Sequence, residues 1–265
     1  MRRSWVLWVI ALVLTLASAA WQRISGPTYP VRGSVVLGGR EIDLRLTRSH
    51  AGAGDQPVRV VAPDPEVEGE IAWRRYPVDE PWRAIHMRRS GEMLEAELPH
   101  QPPAGKLEYQ LRLRRGAEQQ VFPARPAVTR FKGHVAAAVL VPHIVLMFAG
   151  MLWSTRAGLE ALARGPRLRS LTLVALGLIV VGGLVLGPAV QQQAFDAWWT
   201  GVPWGWDLTD NKTLIAAVAW GWAAWRVRGG RDARASVLIA ALVTLVIFVI
   251  PHSSWGSELD WSEVS

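Results

Sequence analysis

The stretch "STRAGLEALARGPRLRS", residues 154–170, lies between two apolar stretches and carries four arginines: Arg156, Arg164, Arg167 and Arg169. A second stretch, "RVRGGRDARAS", residues 226–236, carries four more. In contrast, residues 188–211 and the tail after residue 250 contain no Lys or Arg. Because loops rich in Lys and Arg stay in the cytoplasm, this distribution predicts two cytoplasmic arginine loops. The outer (periplasmic) side of a bacterial inner membrane then holds residues 21–130, 191–210 and 252–265.

Five apolar stretches are candidate helices, at about Trp5–Ala20, His134–Trp153, Leu171–Val190, Asn211–Trp225 and Ala235–Ile250. A helix that spans a bilayer needs about 20 predominantly apolar residues, with about 17 as the lower limit. The third stretch meets this length and the second comes close. The last two are short and depend on tryptophans at their ends as interfacial anchors. Residues 1–20 have a basic start, an apolar middle and an Ala17-x-Ala19 end, which fits a cleaved signal peptide and an uncleaved anchor equally well.

The composition indicates a membrane part and a water-soluble part. Half of the 265 residues are hydrophobic, yet 19% are charged, a mixture that does not suit one uniform globule. The formal net charge of +7 is spread over several segments, without the dense basic stripe of a nucleic-acid-binding surface. The absence of Cys excludes disulfides, thiolate metal sites, a Cys nucleophile and covalent attachment of c-type haem.

Residues 21–130 show the short alternating runs of β-strands. In "KLEYQLRLRR", residues 106–115, apolar residues alternate with polar or charged ones, which predicts one buried and one hydrated face. Gly, Pro or Asp clusters separate the runs at the spacing of a small sandwich. The run "MRRSGEMLEAELPHQPPAGKLEYQLRL", residues 87–113, resembles Ig-like (E-set) extracytoplasmic modules, in which a Pro/Gly-rich turn joins two such strands.

The predicted fold is an integral membrane α-helical bundle of four spans plus the N-terminal signal or anchor, with an extracytoplasmic all-β Ig-like sandwich. The signal or anchor covers residues 1–20 and the sandwich residues 21–130. The membrane domain covers residues 131–251, including a tryptophan-rich outer loop at 191–210, and an acidic outer tail covers residues 252–265.

Three separated stretches meet on the outer face in this topology. His134 is expected to open the second span, the tryptophan-rich loop joins the third and fourth spans, and His252 follows the fifth. Neutral imidazole is a common ligand of metals and haem iron, and indoles offer broad apolar surface to a planar macrocycle. The prediction is a b-type haem with the two histidines as axial ligands and two aspartates as polar supports. The candidate binding residues are His134, His252, Trp198, Trp199, Trp204, Trp206, Asp207 and Asp210.

The loop resembles the WWD loop of the haem-handling membrane proteins of cytochrome c maturation, whose pattern is similar to W-x-W-D-x-x-E-N-x-x-L. Residues 204–214 read "WGWDLTDNKTL", with Asp210 in place of the Glu. In that family two histidines, each separated from the loop by a pair of spans, ligate the haem iron, and His134 and His252 follow this order. The resemblance covers residues 134–255. It implies haem handling for cytochrome assembly. Electron transfer as a subunit of a respiratory complex is the other use that we expect for a bound haem.

The chain departs from that family at several points. Leu208 stands where the family usually has a proline, and the pair Trp198–Trp199 lies further upstream than usual. The membrane core has only four predicted spans, and the large β domain is not a standard feature of the family. Whether the two histidines face each other depends on helix packing, which the sequence does not determine.

A purely structural interpretation explains the same residues. Tryptophans at helix ends form interfacial belts in contact with membrane lipid, and Thr209 or Asp210 could cap the fourth helix. The protein is then a non-enzymatic assembly or scaffold subunit whose residues 21–130 bind another membrane or periplasmic protein. An enzyme is less favoured, because the sequence shows no nucleophile–base pair and no phosphate-binding loop.

Two further questions concern metal ligands. A transition metal could bind His134 and His252 together with an acidic outer rim, formed by Asp196, Asp207, Asp210, Glu258, Asp260 and Glu263. His143 follows His134 by nine residues, which places it about 180° round a straight helix, so the two cannot share one ion. His143 is instead predicted to hydrogen-bond to a neighbouring helix.

Overall fold

The computed structural model describes residues 2–229, 232–251, 259 and 261. Its contacts divide the chain into two compact units. The helical unit comprises Met1–Pro27 and Val135–Ser257, and the β unit comprises Thr28–His134 and Glu258–Ser265. Each unit has a hydrophobic core of its own.

Within the described residues, the helical unit contains six α-helices and a π-helical segment between the third and the fourth. The π-helical segment makes α3 and α4 into one continuous helix, Leu168–Phe195. The elements are α1 (Arg2–Ser25), α2 (Ala137–Leu162), α3 (Leu168–Ile179), the π-segment (Val180–Leu186), α4 (Gly187–Phe195), α5 (Leu208–Arg228) and α6 (Arg234–Val249).

Among the described residues, three helices are long and apolar enough to cross a membrane: Ser4–Ser25, Ala137–Leu162 and Leu168–Phe195. These helices indicate that the chain associates with a membrane. The helix α6 is apolar but shorter, and α5 has two buried ionisable residues in its first turns, Asp210 and Lys212. Crossing of the membrane by α5 and α6, which four spans require, stays a prediction.

The helix α6 packs against α2 through small residues and is bonded to α5 through one indole. A Cβ on Gly158 of α2 would lie 2.7 Å from the Cβ of Ala241 in α6, so the two helices are in close contact there. Trp220 of α5 is fully buried and donates its Nε1–H to Oγ1 of Thr244 in α6, at 2.8 Å. Close backbone approach and hydrogen bonds between helices are the usual sources of helix association in lipid, where water supplies no hydrophobic driving force.

The first helix packs against the rest of the unit through one face. Ala11, Thr15 and Ser18 are buried, and their spacing of four and three residues places them on the same side of a helix. Trp8 meets Trp153 of α2 edge to face, with 4.9 Å between the ring centres. The segment that fits either a signal peptide or an anchor therefore supplies part of the packed interior of this unit.

Arg156 lies inside α2 and not in the loop that follows, so its prediction as a loop residue was wrong. The helix continues to Leu162, and the Arg156 side chain is only 1% exposed. Its Nη1 lies 2.7 Å from Oε2 of Glu160, one helical turn further on. The guanidinium also lies 5.5 Å from the ring centre of Trp8. The apolar environment accepts this charge because a carboxylate balances it.

In the part of the chain that the structure describes, the β unit has three sheets. The largest has the strand order β3-β10-β9-β5-β6, a second has the order β4-β8-β7, and β1 and β2 form a hairpin. All pairs are antiparallel except that of β3 with β10. The strands are β1 (Val31–Leu37), β2 (Arg40–Leu46), β3 (Ser49–Ala51), β4 (Gln56–Val61), β5 (Val67–Tyr76), β6 (Arg83–His86), β7 (Arg88–Ser90), β8 (Met93–Leu98), β9 (Lys106–Arg115) and β10 (Glu118–Lys132).

The alternation predicted for residues 106–115 is confirmed. Leu107, Tyr109, Leu111 and Leu113 of β9 are each exposed by 1% or less, and the residues between them are not buried. The hydroxyl of Tyr109 donates to the carbonyl oxygen of Thr47 at 2.7 Å, and burial raises the pKa of this phenol. Side chains from all three sheets share this core, so the unit has the layered packing of a sandwich-like fold.

Candidate functional site

The tryptophan loop, defined as residues 196–207, connects α4 to α5 and is held in place from both helices. One oxygen of the Asp210 carboxylate, Oδ2, accepts hydrogen bonds from the backbone N–H of Thr200 at 2.7 Å and from its hydroxyl at 3.2 Å. The side-chain amide of Gln191 in α4 donates to the same hydroxyl at 2.6 Å. The backbone N–H of Asp207 donates to the carbonyl of Thr200 at 3.0 Å. Thr200 is therefore the central anchor of the loop.

A tight turn follows Thr200 and is also bound to α5. The backbone N–H groups of Trp204 and Gly205 both donate to the carbonyl of Gly201, at 3.0 and 2.9 Å. Oδ1 of Asn211 accepts from the backbone N–H of Val202 at 2.8 Å. A Cβ on Gly201 would lie 2.7 Å from the Cβ of Asp210. Only glycine allows this close approach, so the turn is tied to the first residues of α5.

Three of the four predicted indoles point away from the protein. Trp198, Trp204 and Trp206 are 63%, 81% and 86% exposed. Trp199 differs, since it is partly buried and donates its Nε1–H to the carbonyl of Val202 at 3.1 Å. The loop thus holds its own shape through Trp199 and presents the other three rings outward.

The two predicted aspartates have different structural roles. Asp207 is the N-cap of α5, because its Oδ1 accepts from the backbone N–H of Thr209 at 2.7 Å. The prediction that Thr209 or Asp210 caps this helix was therefore wrong. Asp210 is buried and bonds to Thr200. Asp207 thus fixes the start of α5, whereas Asp210 holds the loop through Thr200.

The sequence predicted that His134 opens the second span, and this prediction was wrong. It lies in the short connection between β10, which ends at Lys132, and α2, which begins at Ala137. Ala136 has the extended backbone of a residue outside a helix (φ −59°, ψ 132°), and its N–H donates to Oε1 of Gln193 at 2.8 Å. The His134 side chain is exposed. Its predicted partner, His252, lies outside the described residues.

Lys212 is a site residue that the sequence prediction missed. It is only 3% exposed, and its ammonium donates to the carbonyls of Ile250 at 3.1 Å and Pro251 at 3.4 Å. These carbonyls follow the last turn of α6, where helices leave acceptors without an internal partner and favour a cation. The bonds join the start of α5 to the residue directly before His252. The sequence signal was a single Lys within an apolar stretch. A charge in such a stretch costs free energy, and it usually marks a functional position.

A narrow crevice lies beside Lys212, between five helices. Its cavity volume is only about 10 Å³. That is about the room that one water occupies, so a haem does not fit there. The lining residues are Gln22, Met147, Ile179, Thr209, Lys212, Thr213, Ala216, Ile247 and Phe248.

The prediction for His143 is confirmed. Its Nδ1 lies 2.8 Å from the carbonyl oxygen of Gly182 in the π-segment. A carbonyl can only accept, so Nδ1 carries the proton. The wider turn of the π-segment changes the local hydrogen-bond pattern of the backbone. Such turns are rare and often lie at functional sites. His143 thus links α2 to the third long helix.

The described residues contain no group of three or more His, Cys, Asp or Glu side chains that could hold a metal ion. Of the predicted acidic rim, Asp196 is exposed at the end of α4 and accepts from the amide of Gln192 at 2.8 Å. Glu258, Asp260 and Glu263 lie outside the described residues.

Comparison with known proteins yields no match: no family model, no curated protein and no solved structure is similar to this chain. The resemblance to the WWD pattern therefore depends on residues 204–214 and on the order of the flanking histidines.

Proposed function

We propose that this chain is a bacterial inner-membrane protein that binds b-type haem at its outer face, for haem handling in cytochrome assembly or for electron transfer. His134 and His252 serve as axial ligands, and the tryptophan loop forms an apolar wall. The proposal includes four spans, with α5 and α6 crossing the membrane, and an Ig-like β unit on the periplasmic side that docks a partner protein.

The observation that carries this proposal is the pair of hydrogen bonds from Lys212 to the end of α6. Residues 198–212 and residue 252 are distant in sequence, yet Lys212 bonds to the carbonyl of Pro251, the residue next to His252. Pro251 is therefore attached to the first turns of α5, directly after the tryptophan loop. This attachment supports the proposal that His252 acts together with the loop.

The loop itself supports a planar apolar ligand. Its backbone is bound by Asp210 and Asn211, so the three outward indoles need little reorganisation on binding, which keeps the entropic cost of association low. The crevice beside Lys212 is too small for a macrocycle. The ligand would therefore lie against the outer surface of the loop, an accessible position that suits transfer to a partner.

The donor set fits haem b. The chain has no Cys for covalent attachment, and imidazole is a usual axial ligand of haem iron. The His134 ring is exposed. Among the described residues, none forms a hydrogen bond or an ion pair with this ring. When bound, haem would supply one-electron redox chemistry, while the histidines hold the iron and the indoles exclude water from the ring.

The test is the reduced-minus-oxidised absorption spectrum of the full-length protein, purified in detergent after expression with ample haem. We expect an α-band in the wild type and its loss in the His134→Ala/His252→Ala variant. His86→Ala is the matched control, because that side chain is 87% exposed in the β unit, and it should leave the band unchanged. A featureless wild-type spectrum, or a band that survives the double variant, would refute haem binding by these residues.

A second candidate function follows from the exposure of Trp198, Trp204 and Trp206. Indoles that project from a helix connection are typical of interfacial anchors. The protein would then be a non-enzymatic assembly subunit whose β unit binds another protein. Affinity capture with the full chain and with a chain lacking residues 28–132 tests this alternative. It predicts that a partner is lost with the β unit, while neither preparation shows a haem spectrum.

A further inference from the structure

The C-terminal tail contacts the β unit through Trp261. The indole Nε1–H donates to the carbonyl oxygen of Tyr76 at 3.0 Å. The guanidinium carbon of Arg75 lies 5.0 Å from the centre of the Trp261 ring. A Cβ on Gly105 would lie 3.4 Å from Cη2 of this ring, an ordinary contact distance, so the ring edge lies close to this glycine. Three independent contacts therefore position one side chain.

The contacts select for an indole. Tyr76 is the last residue of β5 and is paired with Lys106, the first residue of β9, so its carbonyl lies at the end of the sheet. Only Trp combines an N–H donor for this carbonyl with a broad ring face for the guanidinium. Gly105 directly precedes β9 and lies beside the ring. Phe or Leu would fill the space without satisfying the carbonyl.

The charges on the two sides are complementary. In sequence, Trp261 is flanked by Glu258, Asp260 and Glu263, whereas Arg75 and Lys106 are cationic. Opposite charges raise the rate and the specificity of encounter more than the final affinity. The site therefore suits a tryptophan within an acidic segment.

We propose that Arg75, Tyr76 and Gly105 form a docking site for the indole of an acidic segment, and that the chain's own Trp261 occupies it. The C-terminal tail is thereby fastened to the β unit. An external segment of the same chemistry must compete with Trp261 for the site. This inference goes beyond haem binding and does not depend on it.

The test uses the full-length protein in detergent and a labelled synthetic peptide, "WGSELDWSEVS", identical to residues 255–265. Fluorescence anisotropy should show binding to the Trp261→Ala protein, whose site is vacated. The wild type should bind at least about tenfold more weakly, because a tethered competitor acts at an effective concentration of about 1 mM. A peptide with Ala in place of Trp261 should not bind, whereas one with Ala in place of Trp255 should bind normally.

Two arginine variants in the Trp261→Ala background provide a matched pair. Arg75→Ala should weaken peptide binding by about two- to fivefold, the range expected for an exposed cation–π contact. Arg83→Ala should have no effect, although its guanidinium lies at the same distance, 5.0 Å, over a different indole, Trp73. Equal losses in both variants would overturn the assignment of the site.

Further outcomes would also overturn the proposal. Equal peptide affinity of the wild type and the Trp261→Ala protein would show that the tail does not occupy the site. A photoreactive residue at position 261 should cross-link to the peptide that contains Tyr76 within one chain. A dimer band on a denaturing gel would instead place the tail on a second copy and refute occupancy by the same chain.

Discussion

Neutralising Glu160 should strongly destabilise the helical unit, because it leaves the guanidinium of Arg156 buried without a counter-ion. The two side chains are 5% and 1% exposed and lie 2.7 Å apart. Oε1 of Glu160 also accepts from the backbone N–H of Arg167 at 3.0 Å. Glutamine has nearly the same shape and keeps an oxygen for this bond, so Glu160→Gln removes the charge and the oxygen that faces Arg156.

The expected loss follows from the burial of the pair. Removing one partner of a buried ion pair costs about 3–5 kcal/mol. Because about 1.4 kcal/mol corresponds to a factor of ten, the unfolding equilibrium constant should rise by at least two powers of ten. Adding Arg156→Met removes the second charge as well. We expect the double variant to recover part of the stability, since no uncompensated charge then remains buried.

The assay is SDS titration of the full chain in mixed micelles, with helix content as the readout of the free energy of unfolding. Asp232→Asn is the control within the same unit. Its ion pair with Arg234 spans 3.3 Å, but the side chains are 74% and 45% exposed, so the loss should be below about 1 kcal/mol. Asparagine also keeps an oxygen for the backbone N–H of Arg234, which Asp232 accepts at 3.2 Å.

The reasoning is refuted if Glu160→Gln loses no more stability than Asp232→Asn. It is also refuted if the double variant is less stable than Glu160→Gln alone. The first result would mean that Arg156 reaches water despite its position in α2. The second would mean that the guanidinium contributes to stability without its carboxylate, for example through the ring of Trp8.

Two further predictions concern packing and pH. Gly183→Ala should cost about 1–3 kcal/mol by overpacking, because its Cβ would overlap Cγ2 of Thr213 in α5; Gly177→Ala on the same long helix, with open space around it, is the control in the same SDS titration. The backbone N–H of Glu66 holds the pKa of Asp64 below its usual range, so the folded β unit favours the carboxylate. The stabilisation that the Asp64 carboxylate gives to the β unit should be present above a pH of about 4. It should be lost as the pH falls through the lower pKa of this group in the folded state. Hydrogen exchange of β5 should show this loss in the wild type and a weaker pH dependence in Asp64→Asn.

Local periodicity was sufficient to predict most of the regular elements. The alternation of residues 106–115 predicted a strand with one buried face, and β9 has that face. The apolar stretches predicted helices, and three of these are long enough to cross a membrane. The reason is that a period of two or of 3.6 residues determines which side chains share a face before any distant contact forms.

The tryptophan loop shows where local inference ends. Its residue types predicted a side-chain cap at the start of α5, and the helix has one. The predicted cap, Thr209 or Asp210, was wrong, because Asp207 suits this role as well and lies only three positions before Asp210. The choice depends on Thr200, whose N–H and hydroxyl bind Asp210 once the loop has folded back onto α5.

The sequence by itself determined the elements of this protein, the charge distribution of its loops and the residue types available for a site. Only the tertiary structure decided which residues meet. The bond of Lys212 to Pro251, the bond of His143 to Gly182 and the contact of Trp261 with Tyr76 all join positions far apart in the chain. Such contacts depend on how helices and sheets pack, and packing is a property of whole surfaces that no short pattern encodes.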